Sequence, residues 1–473
     1  MNKFLIPIYL FLPLLLGAQR VTVSEPVSVR DDYYYQVMGD ERGNVLLFRD
    51  KRTKFEVNGY DGNMQLRWEK ELELDKKSPE VLKVLPLGGD FGLVYKFKQK
   101  QQTVLKIHRY SPGANLLDSA TIKVFDSILF APNIETTISE DKNIILFWYA
   151  EGLGQITAFA FDIAQMKVLW EHVFSPDGIV LQRDFAQVIV DNSGNMYFVL
   201  KKNNLNFRRR DHYLEIFEYG PASDGVIQRH VIQMEDYLTF DLRFSFDNQN
   251  KALKAAGFYS SDNAARADGY YYFSLDCCAT SDYMLRFHPF DEEMVGILLE
   301  KEKTRNKGLP EVSIREVVHR TDGGIILIGE MNKEFQRGMT TTSYYSRSGF
   351  RPVMDYYYDD LFLISIHNSG EAHWRNVLHK KQYSQDDAAA YSSYFLAKTP
   401  TALRVIFNDE IKQGNTVSEY VVRGNGEFTR KAVLSTERKD LSLRFRDAVQ
   451  VAANEFVVPS EKRNRLKLVR VSY

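Results

Sequence analysis

Cysteine is nearly absent from this chain, which has only 2 in 473 residues. The two are adjacent, Cys277 and Cys278, and could form a vicinal disulfide, which is a strained ring. We favour the interpretation that they are two small residues packed in a blade, with or without that bond. Tryptophan is also scarce (4), whereas tyrosine (27) and phenylalanine (31) are abundant. This aromatic composition favours strands over helices.

Neither sign of charge is in excess. The chain has 61 Lys and Arg residues against 62 Asp and Glu residues, a formal net charge of -1. A balanced chain has no global field that would attract nucleic acid or an anionic lipid surface. We therefore expect no nucleic-acid partner.

Long apolar runs are missing except at the N-terminus. Residues 4–16 are apolar, follow Lys3 and precede Gly17 and Ala18. This pattern predicts a secretory signal peptide at residues 1–18 with cleavage after Ala18. The run is shorter than the roughly 20 residues of a membrane span and contains two prolines. With no cysteine after Gly17, we expect no lipid anchor, and a periplasmic mature chain, 19–473, without a transmembrane segment.

The motifs of common catalytic and metal sites are also absent. The sequence has no HExxH, G-x-S-x-G, phosphate-binding or EF-hand pattern. His367, His373 and His379 should fall on different faces of a hairpin, which favours surface or packing roles over a ligand set. We expect no catalytic residue, no metal and no cofactor.

What the sequence has in abundance is short β-type runs, and tight polar turns precede the strongest of them. These turns lie near Gly43, Gly89, Lys142, Gly194, Asn248, Gly323, Pro400 and Asn454. A second strand–turn–strand signal repeats in phase, at residues 55–72, 106–122, 158–173, 215–232, 361–378 and 419–434. Four strands in a period of roughly 50 residues are typical of a β-propeller blade. An array of β-sandwiches is the alternative.

The last repeat predicts how the ring closes. Residues 448–473 supply three strands, and residues 21–29 can supply the fourth. Closure by strands from both ends of the chain removes exposed sheet edges. The sequence therefore predicts a single all-β domain, a propeller with eight four-stranded blades; seven blades are the second choice.

Several features carry a resemblance to known families. Asp61 to Trp68 and Asp162 to Trp170 resemble the D-x-x-x-G-x-x-x-W docking pattern of the pyrroloquinoline-quinone-type propellers. The chain is similar also to exported propellers of Bacteroidota, which share the features found here at Gly323, Gly324, Tyr356 to Tyr358, Trp374 and HKKQ (379–382). Gln19, directly after the expected cleavage site, likewise resembles the exported proteins of Bacteroidota. The resemblance implies a fold and a compartment but no chemistry. A vicinal cysteine pair also occurs in eight-bladed quinone-dependent alcohol dehydrogenases, an enzyme class that we do not favour for this chain.

Two insertions break the regular period. Within residues 290–308, Asp291 can cap a helix whose Met294, Ile297 and Leu298 would face the propeller. Lys301, Lys303 and Arg305 would lie near the end of this helix. A packing brace is the interpretation that we favour, and a partner-binding helix is the alternative.

The second insertion, residues 333–360, connects the second and third strands of the sixth blade and projects from one rim. Residues 201–213 occupy the equivalent place in the fourth blade. Tyrosine and arginine dominate interface hot spots, so both segments are candidate partner-binding surfaces; a solvated hairpin extension is the alternative. The candidates are Arg208, Arg209, Arg210, Tyr344, Tyr345, Arg347, Phe350, Arg351, Tyr356, Tyr357 and Tyr358, with Phe335 and Arg337 beside them.

Two classes of function follow. The first is a non-catalytic periplasmic scaffold that binds a protein partner through its rim loops, as the propeller subunit of the β-barrel assembly machinery does. Outer-membrane assembly or the type IX secretion translocon would supply that partner. The terminal RLKLVRVSY strand leaves no room for a separate sorting domain, so we expect retention in the periplasm. The alternative class is a glycan-binding or glycan-hydrolysing envelope protein, and hydrolysis would need two carboxylates at a defined separation.

Overall fold

Strand pairing defines the architecture. The computed structural model describes residues 19–39, 43–126, 132–152, 154–262, 265–277, 282–300, 308–337, 353–409, 416–436 and 440–473. In these ranges the strands form eight antiparallel sheets, and each sheet is one blade of a ring. The expected signal peptide lies outside the described residues.

Before the first blade come two short strands, β1 (Arg20–Val23) and β2 (Val27–Ser28). Blades 1 to 4 then follow in chain order. Blade 1 contains β3 (Tyr34–Gly39), β4 (Val45–Asp50), β5 (Phe55–Tyr60) and β6 (Leu66–Glu71). Blade 2 contains β7 (Glu80–Leu87), β8 (Asp90–Gln99), β9 (Gln102–Tyr110) and β10 (Leu116–Phe125). Blade 3 contains β11 (Glu135–Ile138), β12 (Ile144–Glu151), β13 (Gln155–Asp162) and β14 (Lys167–Phe174). After helix α1 (Leu181–Asp184), blade 4 contains β15 (Phe185–Val190), β16 (Met196–Lys202), β17 (Tyr213–Tyr219) and β18 (Gln228–Gln233), with a 3-10 turn at Asn206–Asp211.

Blades 5 to 8 complete the ring. Blade 5 contains β19 (Leu238–Asp247), β20 (Ala252–Ser260), β21 (Gly269–Asp276) and β22 (Tyr283–Pro289), and helix α2 (Glu292–Leu298) follows it. Blade 6 contains β23 (Val312–His319), β24 (Ile325–Arg337), β25 (Val353–Ile366) and β26 (Ala372–Leu378), with β27 (Gln382–Gln385) added beside β25. Blade 7 contains β28 (Tyr394–Lys398), β29 (Ala402–Asn408), β30 (Thr416–Arg423) and β31 (Phe428–Ser435). After a 3-10 turn at Phe445–Asp447, blade 8 contains β32 (Val449–Ala452), β33 (Glu455–Lys462) and β34 (Arg465–Ser472).

The fourth strand of blade 8 is β1. It pairs antiparallel with β34, and Val21 lies opposite Val471. The strand order β32-β33-β34-β1 joins the two ends of the described chain in one sheet. The predictions of eight blades and of closure by both ends are confirmed.

The core consists of layers between blades. In the described ranges, each of eight buried hydrophobic clusters joins two neighbouring blades. The second and third strands supply most of these buried side chains, as β4 and β5 do in blade 1. First strands of several neighbouring blades contact one another, as β11 and β15, β15 and β19, and β19 and β23 do, and they form the inner edges of the blades. Apolar side chains therefore hold each blade against the next.

The eight turns identified in the sequence join the first and second strands of the eight blades. At one of them Gly194 has a φ of +86°, which favours glycine. The indole Nε1 of Trp170, in blade 3, donates to the carbonyl oxygen of Gly194, in blade 4, at 2.8 Å. Trp374 in blade 6 donates in the same way to Gly424 of blade 7 at 3.0 Å. At the junction of blades 3 and 4, the resemblance of Asp162 to Trp170 to a tryptophan docking pattern thus has a physical counterpart. Within the described ranges the other match, Asp61 to Trp68, has no such indole hydrogen bond.

Helix α2 begins as expected, because the Asp291 side chain accepts a hydrogen bond from the Met294 backbone N–H at 3.2 Å. Met294 and Leu298 are buried against blades 5 and 6. The expectation for Ile297 is wrong: this residue is exposed and Val295 is buried instead. The burial supports the packing brace. Lys301, Lys303 and Arg305 lie outside the described residues.

Strand direction decides which connections share a side of the ring. Strands alternate within each blade, so connections between second and third strands emerge opposite the turns between first and second strands. Connections from one blade to the next emerge on the same side as the connections between second and third strands. We call it the insertion rim, because the extended hairpin of blade 6, the 3-10 turn of blade 4 and helix α2 all belong to connections on this side.

Candidate functional site

The hairpin of blade 6 continues as a small sheet beyond the body of the blade. Residues 332–337 of β24 pair with residues 353–358 of β25 after a register shift next to Glu330. Strand β27 adds a third strand, with Tyr357 opposite Tyr383. We call residues 332–337, 353–358 and 382–385 the platform. Much of the insertion that the sequence marked as a loop is therefore ordered sheet.

A carboxylate at the centre of the platform holds its three strands together. Asp355 in β25 accepts a hydrogen bond from Arg337 Nη2 in β24 at 2.8 Å. It also accepts one from the Tyr383 hydroxyl in β27 at 2.7 Å. Hydrogen bonding to Arg337 lowers the pKa of Asp355, so this carboxyl is ionised at neutral pH. One charged group thus links all three strands and fixes their side chains.

One face of the platform is aromatic and open to solvent. Phe335, Tyr357 and Tyr383 are 49%, 39% and 38% exposed. Opposite residues of antiparallel strands share a face, and successive pairs alternate. The pairs Phe335–Asp355 and Tyr357–Tyr383 are two positions apart, so all three rings lie on the same face. The rings of Tyr357 and Tyr383 are 4.9 Å apart.

The other face of the platform is fastened to the blade by a buried ion-pair cluster. Lys380 Nζ lies 2.7 Å from Glu330 Oε1, and both side chains are fully buried. Burial lowers the pKa of Lys380, and the Glu330 carboxylate opposes that shift. Arg315 Nε completes the cluster at 3.0 Å from Glu330 Oε2. Removing one partner from such a cluster would leave an uncompensated buried charge, so the cluster opposes separation of the platform from the blade.

Tyr358 belongs to this base and not to the aromatic face. It is buried, its hydroxyl donates to Glu334 at 2.9 Å, and its ring lies beside the cations of Arg315 and Lys380. Burial raises the pKa of Tyr358 to about 12. Tyr358 is therefore corrected from a candidate contact residue to a packing residue.

The insertion of blade 4 is a smaller projection on the same rim. Its 3-10 turn exposes Phe207 (80% exposed), and Arg208 lies beside that ring. Arg210 makes an exposed ion pair with Asp236 at 3.8 Å, an interaction that contributes little to stability. The side chain of Arg209 lies outside the description. We call residues 206–211 the blade 4 tip.

The base of the blade 4 tip is tied to blade 5. The side-chain amide of Asn204 donates to the carbonyl oxygen of Thr239 at 2.8 Å and accepts from its backbone N–H at 3.1 Å. His212 is fully buried, with Nδ1 2.7 Å from the Lys202 carbonyl and Nε2 2.9 Å from the Thr239 hydroxyl. Burial lowers the pKa of His212 to about 4, so the imidazole is neutral at pH 7. These contacts fix where the tip leaves the ring.

The remaining candidates divide into two groups. Tyr356 is half-buried on the face opposite the exposed rings, in line with Glu334 and Ser384. Five candidates lie outside the described residues: Tyr344, Tyr345, Arg347, Phe350 and Arg351. Sequence reasoning missed Tyr383 and Phe207. The only signal for Tyr383 was the alternating Gln-Tyr-Ser-Gln pattern of β27.

Other residues that the sequence singled out are used structurally. The rings of His367 and His373 lie 4.4 Å apart, which corrects the expectation of different faces. His379 lies apart from them, 3.1 Å from Asp360. Cys277 accepts a hydrogen bond from the Tyr197 hydroxyl at 3.4 Å, and burial raises the pKa of its thiol to about 11. Cys278 lies outside the described residues, so its vicinal disulfide with Cys277 stays a hypothesis.

In the described ranges no group of three or more His, Cys, Asp or Glu side chains could hold a metal ion. Within the same part of the chain, no helix has both the length and the apolar character needed to cross a membrane.

The chain is an eight-bladed β-propeller by its own strand pairing. No protein-family model matches it, and no curated protein matches it in sequence. Solved structures with a distant likeness include BamB from Moraxella catarrhalis, with 12% identity and a TM-score of 0.40 over 96% of this chain and 100% of that one. The Dos1 propeller has 9% identity and a TM-score of 0.46 over 95% and 94%. A europium-containing methanol dehydrogenase has 9% identity and a TM-score of 0.43 over 96% and 93%. Neither a partner nor a reaction follows from likenesses this distant.

Proposed function

We propose that this protein is a non-catalytic periplasmic scaffold that binds a protein partner through the platform of blade 6. The partner class that we propose is an outer-membrane complex for protein assembly or type IX secretion. The observation that carries the scaffold role is the aromatic face, on which three exposed rings stand on one rigid, projecting sheet. The N-terminal apolar run supports the periplasmic location.

The chemistry of the face suits a protein. Aromatic residues and arginine are enriched in protein interfaces, and a polar rim surrounds the apolar centre. Here the rings of Phe335, Tyr357 and Tyr383 form the centre. Lys333 and Arg337 flank them, and each already pairs with a carboxylate of this chain, Glu311 or Asp355. A partner would therefore cover aromatic area without burying an unpaired charge.

The fixed position of the rings lowers the cost of binding. Asp355 links the three strands, and the Glu330 cluster fastens their base. Side chains that are already ordered lose less conformational freedom when a partner binds. The blade 4 tip adds exposed Phe207 on the same rim, two blades away.

The electrostatics of Asp355, the central carboxyl of the platform, favour a structural role over a catalytic one. A general acid needs a carboxyl whose pKa is raised toward the working pH. Asp355 has the opposite shift, because it is hydrogen-bonded to Arg337 and Tyr383. Its geometry makes it a structural clasp.

The proposal is tested by removing the aromatic face. The double variant Phe335→Ala/Tyr357→Ala should keep its fold and lose its envelope partner when tagged protein is purified from native cells after mild cross-linking. Tyr283→Ala is the matched control, because Tyr283 is similarly exposed on the outer strand of blade 5. The control should capture the same proteins as the unaltered chain, identified by quantitative mass spectrometry.

Each outcome decides the matter. Loss of one reproducible set of envelope proteins in the double variant alone supports the scaffold role. Equal capture by the double variant and the unaltered chain, with circular dichroism showing both folded, would remove the platform as the binding surface.

A further inference from the structure

A second surface lies along blade 1, where it meets blade 8 on one side and blade 2 on the other. A cavity of about 480 Å³ lies between blade 8 and the first strand of blade 1. A cavity of about 740 Å³ lies between that strand and blade 2. Both have Tyr33, Tyr34 and Gln36 in their walls. We call the two cavities together the tyrosine groove; it shares no residue with the platform or the blade 4 tip.

The tyrosines of the groove are exposed at fixed positions. Tyr33 is 68% exposed and Tyr34 is 46% exposed, although Tyr34 is the first residue of the inner strand β3 and Tyr33 directly precedes it. The backbone N–H of Tyr33 donates to the Asp50 carbonyl at 2.7 Å. The Arg52 guanidinium lies 4.7 Å from the centre of the Tyr33 ring. Large aromatic rings that stay exposed to water beside two cavities are energetically unfavourable unless a ligand covers them.

Polar side chains border the same groove on the blade 8 side. The Tyr35 hydroxyl donates to Glu461 at 3.0 Å, and Arg444 donates to the same carboxylate at 3.0 Å. Arg444 also donates to Asp447 at 2.6 Å. The walls are therefore pre-arranged by hydrogen bonds.

The blade 2 side is more apolar. Val81 and Leu82 line it, with Lys83 and Asp50 at its edges. The Tyr34 hydroxyl donates to Gln36 at 2.8 Å, and the Gln36 amide donates to the Val84 carbonyl of blade 2 at 3.2 Å. Gln36 thus joins the two cavities across the first strand of blade 1.

We infer that the tyrosine groove binds a saccharide chain. The flat faces of exposed tyrosines match the apolar C–H faces of sugar rings. The carboxylates and guanidinium groups around them supply both acceptors and donors for hydroxyl groups. The volumes of both cavities lie in the range of ligand sites, about 300–1,000 Å³. Two cavities on either side of one aromatic divider suit a chain of several rings better than a single compact molecule.

The charges argue against a phosphate-rich ligand. Arg444, Arg446 and Lys83 are matched in the walls by Asp50, Asp447 and Glu461. A groove without excess positive charge gains little from counterion release, which dominates binding of polyanions. Neutral sugars, or sugars that mix amino and carboxyl groups, are the class that fits.

The test uses the full chain and a printed array of neutral, amino-sugar and uronic-acid oligosaccharides. We expect binding to at least one family of oligosaccharides. Calorimetry with the tightest-binding oligosaccharide should then show at least about a tenfold loss of affinity in Tyr33→Ala/Tyr34→Ala. The matched variant Tyr33→Phe/Tyr34→Phe keeps both ring faces and should stay within about threefold of the unaltered chain. Phe335→Ala/Tyr357→Ala should bind the sugar normally, which separates this groove from the platform.

Three results would overturn the inference. They are an array with no binding, equal affinity in the Ala variant, and preferential binding of an extended peptide library in the same groove. If the Ala variant does not fold, competition by the bound sugar against iodination of Tyr33 and Tyr34 in the unaltered chain decides the question. The competing sugar should protect both tyrosines, and full labelling in its presence contradicts the inference.

Discussion

Val21 lies opposite Val471 in the sheet of blade 8, so the first and last strands of the described chain are neighbours. Val23 lies opposite Val469 in the same pairing. These valines pack into the cluster between blades 7 and 8. Closure of the ring is therefore both a hydrogen-bonded and an apolar contact.

Deleting residues 20–29 should destabilise the whole ring. The deletion removes β1 and β2 and leaves β34 as an open edge, so the free energy of unfolding should fall by at least about 3 kcal/mol. Urea unfolding followed by circular dichroism measures the change, with a chain beginning at Gln19 as the control. An unchanged unfolding midpoint in the deletion variant would contradict closure by these strands.

The docking of blade 3 on blade 4 gives a second prediction. Trp170→Phe removes the indole N–H that bonds Gly194 and leaves a buried carbonyl without its donor. We expect a loss of about 1–2 kcal/mol in the free energy of unfolding. Trp68→Phe is the control, because in the described ranges the Trp68 indole N–H has no comparable acceptor. Equal losses in the two variants would mean that ring volume, and not the hydrogen bond, holds the junction.

His212 should make stability depend on pH. Burial holds its pKa near 4 in the folded protein, while the unfolded chain has a pKa near 6.5. As the pH falls below about 6.5 the unfolded state binds the proton first, so stability is lost between about pH 6.5 and 4. His212→Gln should remove about 2 kcal/mol of the difference in unfolding free energy between pH 7.5 and 5.0.

The control for this measurement is His379→Gln, which changes an exposed histidine. It should retain the pH dependence of the unaltered protein. A His212→Gln variant that loses as much stability on acidification as the unaltered protein would show that the buried imidazole is not responsible.

The charge of the blade 4 tip gives a fourth prediction, which rests on the proposed scaffold role. Arg208→Glu/Arg210→Glu should weaken partner capture and reduce its sensitivity to salt, because exposed charges act through a screened field. Lys98→Glu/Lys100→Glu is the matched control, with the same charge change on the same rim at blade 2. If both variants weaken capture equally, the effect comes from overall charge and not from the tip.

The repeat pattern predicted most of the fold because its signals are local. Each polar turn and each strand–turn–strand motif lies in one stretch of sequence, and Val21 to Val29 alternate in a way that suits a strand. The face of α2 was mispredicted at Ile297, since a seven-residue helix offers too few turns for periodicity to choose between neighbours.

The platform was harder to predict for a different reason. Strand β27 pairs with residues of β25 that lie more than twenty positions earlier, and no turn signal marks that contact. The sequence of residues 353–360 is typical of the end of a long loop. In the structure residues 353–358 are the central strand of the platform, and Asp355 is hydrogen-bonded to both neighbouring strands. Tyr358 could not be told from Tyr357 because alternation alone does not say which face the blade covers.

The link between Ser24 and Leu468 has a consequence for biogenesis. The Leu468 N–H donates to the Ser24 hydroxyl at 2.9 Å across 444 positions of the chain. A contact between such distant residues can form only after nearly the whole polypeptide has been synthesised. Until then β34 cannot pair with β1, and the incomplete ring of seven blades has an unpaired strand edge that can pair with strands of other chains. The protein should therefore depend on holding chaperones during its maturation until the final strand arrives.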